Sequence, residues 1–196
     1  MLERLLQDRG ILEREQFTRE EAHALERLIS RMAAIERYRI VRKYASGVVA
    51  DAACGCGYGS WMLSRCPSVD RVIGLDADEE SIAFARLEYP AAFINFATCD
   101  LQGPGLTDVL TGSAVDTVVS VETVEHLAEP DRFVRGVLAS RASRLILTFP
   151  AFVTSTFNPY HLSDVSLADL EDMVGRPAAK ALTLDDAVQV VVFDLL

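Results

Sequence analysis

The segment Val48-Val49-Ala50-Asp51-Ala52-Ala53-Cys54-Gly55-Cys56-Gly57-Tyr58-Gly59-Ser60 constrains the fold of this chain more than any other. An apolar run ends in an acid, and three glycines follow at alternate positions before a helix-compatible stretch. Those signals describe a strand, a tight turn that lets backbone approach a ligand, and a helix start. A strand that feeds a helix in this way belongs to a βαβ unit, so the rest of the chain should alternate too.

Short β-rich runs recur at 48–51, 71–76, 92–97, 115–120, 143–149, 179–184 and 188–194. Helical stretches at 59–66, 79–88, 130–140 and 166–174 separate most of them. This alternation predicts an α/β fold, a Rossmann-like doubly wound sheet of seven strands, mostly parallel and covered on both faces. Only the turn Asp185-Asp186 divides the last two runs, which therefore read as a C-terminal antiparallel hairpin. Pro130 suits a first helical position, and Ser166 with Asp169 gives a capping-type start. Upstream, Thr18 with Glu21 forms a capping box, and Leu25, Leu28, Met32 and Ile35 follow at helical spacing. Leu2, Leu5, Leu6, Ile11 and Leu12 suggest a further short amphipathic helix. Residues 1–46 are thus expected to form an N-terminal helical arm and residues 47–196 one compact domain. The arm could serve as a lid, a packing element or a homodimer interface, with packing on the α/β body preferred.

Composition narrows the partners. A net charge of −10 over 196 residues weighs against a protein that grips phosphate backbones, so no nucleic-acid partner is expected. No run reaches the roughly 18 apolar residues of a membrane span, and the first residues carry early acids rather than a signal core. A cytoplasmic location is the default expectation. Cys54 and Cys56 have one residue between them and sit inside the glycine turn, unlike the pairs spaced by two to four residues in zinc sites. With Cys66 and Cys99 they read as reduced packing cysteines, and no metal site is expected.

Three acids sharpen the ligand. In an open parallel sheet, ligands bind beyond the carboxyl ends of the strands, near the switch in strand order. Asp51 closes the first run, Asp76 closes Val72-Ile73-Gly74-Leu75-Asp76, and Asp100 follows Phe96-Ala97-Thr98-Cys99. A carboxylate at the second strand end can accept both ribose hydroxyls, and one after the third can accept an adenine amine. The turn is Gly55-x-Gly57-x-Gly59 rather than the Gly-x-Gly-x-x-Gly of dinucleotide sites. Asp51 beside it would repel a pyrophosphate but suits an α-amino group.

On these residues the chain resembles the class I S-adenosylmethionine-dependent methyltransferases. Asp51–Ser60 looks like their first motif, Val72–Asp78 their second, and Asp116–Leu127 their fourth-strand motif. Arg37-Tyr38, Gly57–Ser60, Glu125-His126-Leu127 and Asn158-Pro159-Tyr160-His161 are most similar to the small-molecule type, methyltransferase domain 11 or 23. The resemblance covers roughly residues 37–194 and implies S-adenosyl-L-methionine as cofactor, with S-adenosyl-L-homocysteine as product. It implies that Asp51, Gly55 and Gly57 line the methionine part of the cofactor, with Tyr38 and Ala53 also among the cofactor-binding residues. Asp76 would hold the ribose, Ala77 would flank the adenine, and Asp100 with Leu101 would read its edge. Val121 and Glu122 would lie near the sulfonium, and Arg37, beside Tyr38, would pair with the cofactor carboxylate. Cys56 replaces the small polar residue common in the first motif, which removes a hydroxyl.

Methyl transfer is an in-line displacement in which positioning supplies much of the rate, and a base helps when the acceptor is a hydroxyl or a protonated amine. Candidate catalytic residues are His161, His126 and Glu122; Glu125 is expected to be a solvated or capping carboxylate. A lone histidine is weak evidence for a base, and His126 reads more simply as a helix-start residue bonded to backbone. The Asn-Pro-Pro-Tyr pattern of amino-methylating enzymes is absent after the fourth strand, where Val121-Glu122-Thr123-Val124 stands. A small-molecule acceptor with an oxygen nucleophile is favoured: a sugar, glycan precursor, quinone or secondary metabolite. The competing readings are a non-catalytic scaffold of the same fold that binds a protein partner, and a nicotinamide-dependent reductase.

Overall fold

The computed structural model describes Leu28, residues 32–185 and residues 187–196. The Thr18–Glu21 helix start, the 1–12 segment, Leu25 and Asp186 lie outside the described residues. The chain divides into two compact units, Met1–Arg37 and Tyr38–Leu196. In the first, Leu28, Met32 and Ile35 are exposed. Helix α1 covers 32–41, and its last turn, from Tyr38, opens the second unit.

That second unit is the α/β body. Its strands are β1 (Gly47–Ala52), β2 (Val69–Asp76), β3 (Ile94–Thr98), β4 (Thr117–Val121), β5 (Arg144–Pro150), β6 (Lys180–Leu184) and β7 (Val188–Asp194). They form one sheet in the order β3-β2-β1-β4-β5-β7-β6. The four pairings from β3 to β5 are parallel, and β7 pairs antiparallel with both β5 and β6. This is the Rossmann-like sheet with a terminal hairpin that the alternation predicts. The strand order reverses between β1 and β4, so the carboxyl ends of these two strands open the crevice where such sheets bind ligands.

The helices are α2 (Tyr58–Ser64), α3 (Glu79–Glu88), α4 (Gly105–Gly112), α5 (Pro130–Ala139) and α6 (Leu167–Val174). Successive side chains of a strand point to opposite faces, so a buried parallel strand feeds two cores. On β5, Leu145, Leu147 and Phe149 join Leu106, Phe133 and Leu170 from α4, α5 and α6. Ile146 faces the other way and joins Tyr38, Leu63 and Ile82 from α1, α2 and α3. The caps agree with the sequence. Asp78 accepts from the Ser81 amide at 2.9 Å. Ser166 and Asp169 close a reciprocal capping box at 3.2 and 2.9 Å, and Pro130 begins α5. Helix α4 is an addition to the sequence expectation. Its segment Gly105-Leu106-Thr107-Asp108-Val109-Leu110-Thr111-Gly112 has glycine at both ends and four weak helix formers, Thr107, Asp108, Val109 and Thr111, and packing of Leu106 and Leu110 stabilises it.

Leu147 is fully buried at the centre of β5. Truncation removes its transfer energy and leaves a cavity. Urea unfolding should therefore show Leu147→Ala to be less stable than the parent by about 2–5 kcal/mol; a loss under about 1 kcal/mol would place this strand outside a close-packed core.

Candidate active site

The turn after β1 is built around a carboxylate with no exposed surface. Asp51 accepts hydrogen bonds from the Tyr38 hydroxyl at 3.0 Å and the Ser60 hydroxyl at 2.6 Å. These bonds tie the last turn of α1 and the first turn of α2 to the end of β1. Burial pushes the Asp51 carboxyl up to about 6, against the two hydroxyl bonds, which favour the charged form. The same burial, with Asp51 beside it, raises the Tyr38 phenol well above its usual value. Gly59 shows how tight this joint is: a Cβ there would lie 2.0 Å from the Tyr38 ring.

The outer part of the turn faces open space. Gly55 has φ of +51° and no atom within 4 Å of where its Cβ would stand. Its amide donates to Asp76 Oδ2 at 2.8 Å, and the other carboxylate oxygen of Asp76 accepts from the Asp78 amide at 2.9 Å. The half-buried acid at the end of β2 thus holds the turn after β1 in place. Ala53 is also left-handed, at φ of 61°, and Gly57 caps α2. Beyond β3, Asp100 is exposed and accepts from the Gln102 amide at 2.9 Å, while Leu101 is buried beneath it. Ala77 is exposed next to Asp76. Arg37 belongs to the first unit.

A second group forms beyond β4 and β5. Val121 ends β4, and Glu122 follows with φ of 51°. The Glu122 amide donates to the Thr148 carbonyl and hydroxyl, and the Thr148 hydroxyl donates to Glu122 Oε1 at 2.9 Å. The chain then makes a short 3-10 turn, Val124–His126. The loop after β5 folds back on it: the amides of Leu162 and Ser163 donate to the Glu125 carbonyl at 2.7 and 3.1 Å. That docking brings the His126 and His161 rings edge to face, with centroids 4.7 Å apart. His126 Nδ1 is 2.8 Å from the Tyr160 carbonyl, and His161 Nδ1 bonds the Thr154 hydroxyl. Burial and the neighbouring His126 lower the His161 pKa, against the opposing pull of Glu122 and Asp164.

The three catalytic candidates therefore converge at the carboxyl edge of β4 and β5, beside the glycine turn of β1 in strand order. Glu125 corrects the sequence expectation: it is 2% exposed, not solvated. Its buried carboxylate sits under the loop that the main-chain bonds draw across. Sequence reasoning also missed Thr148 and Thr154, because a lone hydroxyl residue carries no spacing signal, and it placed Ser60 in the glycine turn without its bond to Asp51. Nearby, a cavity of about 280 Å³ opens at the end of β5 and is lined by Phe149, Phe152, Val153, Asp164 and Leu167. Phe152 of this lining stacks on Phe157 at 6.4 Å, and Phe157, Tyr160 and Leu162 are largely exposed. No described helix is long and apolar enough to cross a membrane.

The chain is similar to known methyltransferases in sequence and in fold. Residues 51–139 match the family model of a methyltransferase domain. A protein of Mycolicibacterium smegmatis described as a probable S-adenosylmethionine-dependent methyltransferase is 31% identical over 147 residues, covering 69% of this chain and 53% of that protein. The chain spans about half the length of the curated relatives it matches. Among solved structures, an S-adenosylmethionine-dependent methyltransferase from Anabaena variabilis superposes with a TM-score of 0.65 at 14% identity, covering 85% of this chain and 84% of that one. A magnesium protoporphyrin IX methyltransferase from Synechocystis, solved with bound S-adenosylhomocysteine, superposes at 0.58 with 17% identity over 91% and 88%. These two likenesses show the shared fold.

Because burial holds the Asp51 carboxyl near 6 instead of its ordinary 3.8, the native state takes up its proton at higher pH than the unfolded chain does. Stability from this group is complete below the unfolded pKa and is lost as pH rises through about 6. Between pH 4 and 7.5, urea titrations should show the parent losing about 2 kcal/mol more than Asp51→Asn. Parallel pH profiles for the two proteins would contradict the buried carboxylate.

Proposed function

We propose that this chain is a class I S-adenosylmethionine-dependent methyltransferase that moves the methyl group of S-adenosyl-L-methionine to a hydroxyl oxygen of a small acceptor. The observation that carries this reading is the pairing of two groups along one sheet edge. The glycine turn, Asp76 and Asp100 lie at the ends of β1, β2 and β3; Glu122, His126 and His161 lie at the ends of β4 and β5.

In this reading the cofactor lies over Gly55, its ribose hydroxyls donate to Asp76, and its adenine edge meets Asp100 and Leu101. The methionine end then points toward Val121 and Glu122. The acceptor enters from the cavity at the end of β5, with its hydroxyl between Glu122 and the histidine pair. The oxygen lone pair bonds to the methyl carbon while the carbon–sulfur pair returns to sulfur, leaving a neutral thioether. The hydroxyl proton passes to the Glu122 carboxylate. Positioning of the two reactants supplies most of the acceleration and the base a further factor. Exposed Phe152, Phe157, Tyr160 and Leu162 favour an acceptor with a substantial apolar body, such as a lipid-linked glycan precursor or a quinol.

Two experiments test the proposal. Asp76→Ala removes a charged partner of the ribose, so its affinity for S-adenosylhomocysteine by calorimetry should fall by about 1–3 kcal/mol; unchanged affinity would refute the ribose assignment. Methyl-labelled cofactor with a set of polyprenyl-linked sugars and quinols should yield an O-methyl ether. Label transferred only to nitrogen acceptors would overturn the choice of oxygen.

A further inference from the structure

We propose that Glu125, His126 and His161 form a binding site for a divalent first-row transition-metal ion. One ligand atom from each residue can be chosen so that all lie within 4.8 Å of one another. Metal–nitrogen and metal–oxygen bonds of about 2.1 Å set neighbouring ligand atoms roughly 3–3.4 Å apart, so side-chain movements on the order of 1 Å close the cluster on an ion. Two imidazoles and one carboxylate on one side leave the remaining positions open, the arrangement of ions that bind and polarise an oxygen ligand.

The hydrogen bonds behind the ligands prepare them for this role. The Tyr160 carbonyl can only accept, so His126 Nδ1 carries the proton and donates to it across 2.8 Å. That fixes the tautomer in which His126 Nε2 presents a lone pair. His161 has Nδ1 engaged by the Thr154 hydroxyl, which can accept as well as donate; with the hydroxyl accepting, Nε2 is the nitrogen left with a lone pair. Metal-bound imidazoles are held in this way, with the second nitrogen bonded to a carbonyl or hydroxyl behind it. The third ligand is rigid for a different reason. Glu125 is 2% exposed, and its own carbonyl accepts from Leu162 and Ser163, so the segment that delivers His161 is pinned to the residue that delivers the carboxylate. The sequence hides the site because Glu125-His126 and His161 stand 35 positions apart (161 − 126) and no metal-ligand spacing joins them.

What the ion would do rests on the oxygen-acceptor reading above: it binds the acceptor hydroxyl at an open position and lowers its pKa, so that the proton leaves to Glu122 before or during methyl transfer. Its binding does not rest on that reading, and the two can be tested apart. The untagged full chain, freed of metal by chelation, is titrated with Co²⁺ and followed by its visible ligand-field absorption. Calorimetry with S-adenosylhomocysteine runs on the same samples. One saturable Co²⁺ site per chain is expected, displaced by Zn²⁺, and His126→Ala, His161→Ala and Glu125→Gln should each weaken it by at least ~10-fold. Should Glu125→Gln fail to fold, the exposed His126 and half-buried His161 variants decide the matter. Absence of saturable Co²⁺ binding overturns the site. So does Co²⁺ binding that survives both histidine substitutions, or that survives Glu125→Gln in a folded chain. A chain that binds Co²⁺ through these residues but does not bind S-adenosylhomocysteine upholds the metal site and overturns the methyltransferase reading; the opposite result overturns the metal site alone.

Discussion

The Asp51 carboxylate has no exposed surface and would be costly to hold at the end of a strand without donors. Two hydroxyls supply them: Tyr38 from α1 and Ser60 from α2. Each bond joins a different element to β1, so the position of the glycine turn follows from the satisfaction of one buried acid. The missing Cβ of Gly59 lets the Tyr38 ring come close enough to make its bond. Asp76 extends the same logic across the sheet by accepting from the Gly55 amide. The turn is held from behind by Asp51 and from the side by Asp76, and its open face is left for a ligand.

In the proposed reading the sheet divides the chemistry between its two halves. The ends of β1, β2 and β3 carry an open glycine turn and acids suited to a nucleoside. The ends of β4 and β5 carry a carboxylate, two imidazoles and an apolar cavity suited to an acceptor. The strand order changes between β1 and β4, so the two halves meet where no connection crosses the crevice. Glu122 stands at that meeting point in a left-handed conformation that few non-glycine residues adopt, held by three bonds with Thr148. Strain of this kind persists where surrounding contacts over-determine the backbone, and it concentrates at functional positions.

Much of this arrangement is legible in the linear sequence because it depends on local chemistry. Glycine spacing, strand-end acids and the alternation of runs all act within a few residues, and they locate the sheet, the turn and Asp76. Helix α4 escapes because its stability comes from Leu106 and Leu110 packing on α5 and not from its own propensity. Tyr38 and Asp51 are both visible as site residues, but their mutual bond is a long-range fact that relates them to each other first. The histidine pair is hardest of all. Its formation depends on main-chain bonds from Leu162 and Ser163 to Glu125, which leave no side-chain pattern. Glu125, expected as a solvated or capping carboxylate, is buried beside that docking.

The proposed function requires the open face over Gly55, between Asp76 and Asp100, to take the adenosyl cofactor. Calorimetric titration of the full chain with S-adenosylhomocysteine tests it most directly. Saturable binding of one ligand per chain, with a dissociation constant in the micromolar range, is expected. A folded chain that gives no binding heat at millimolar ligand would contradict it.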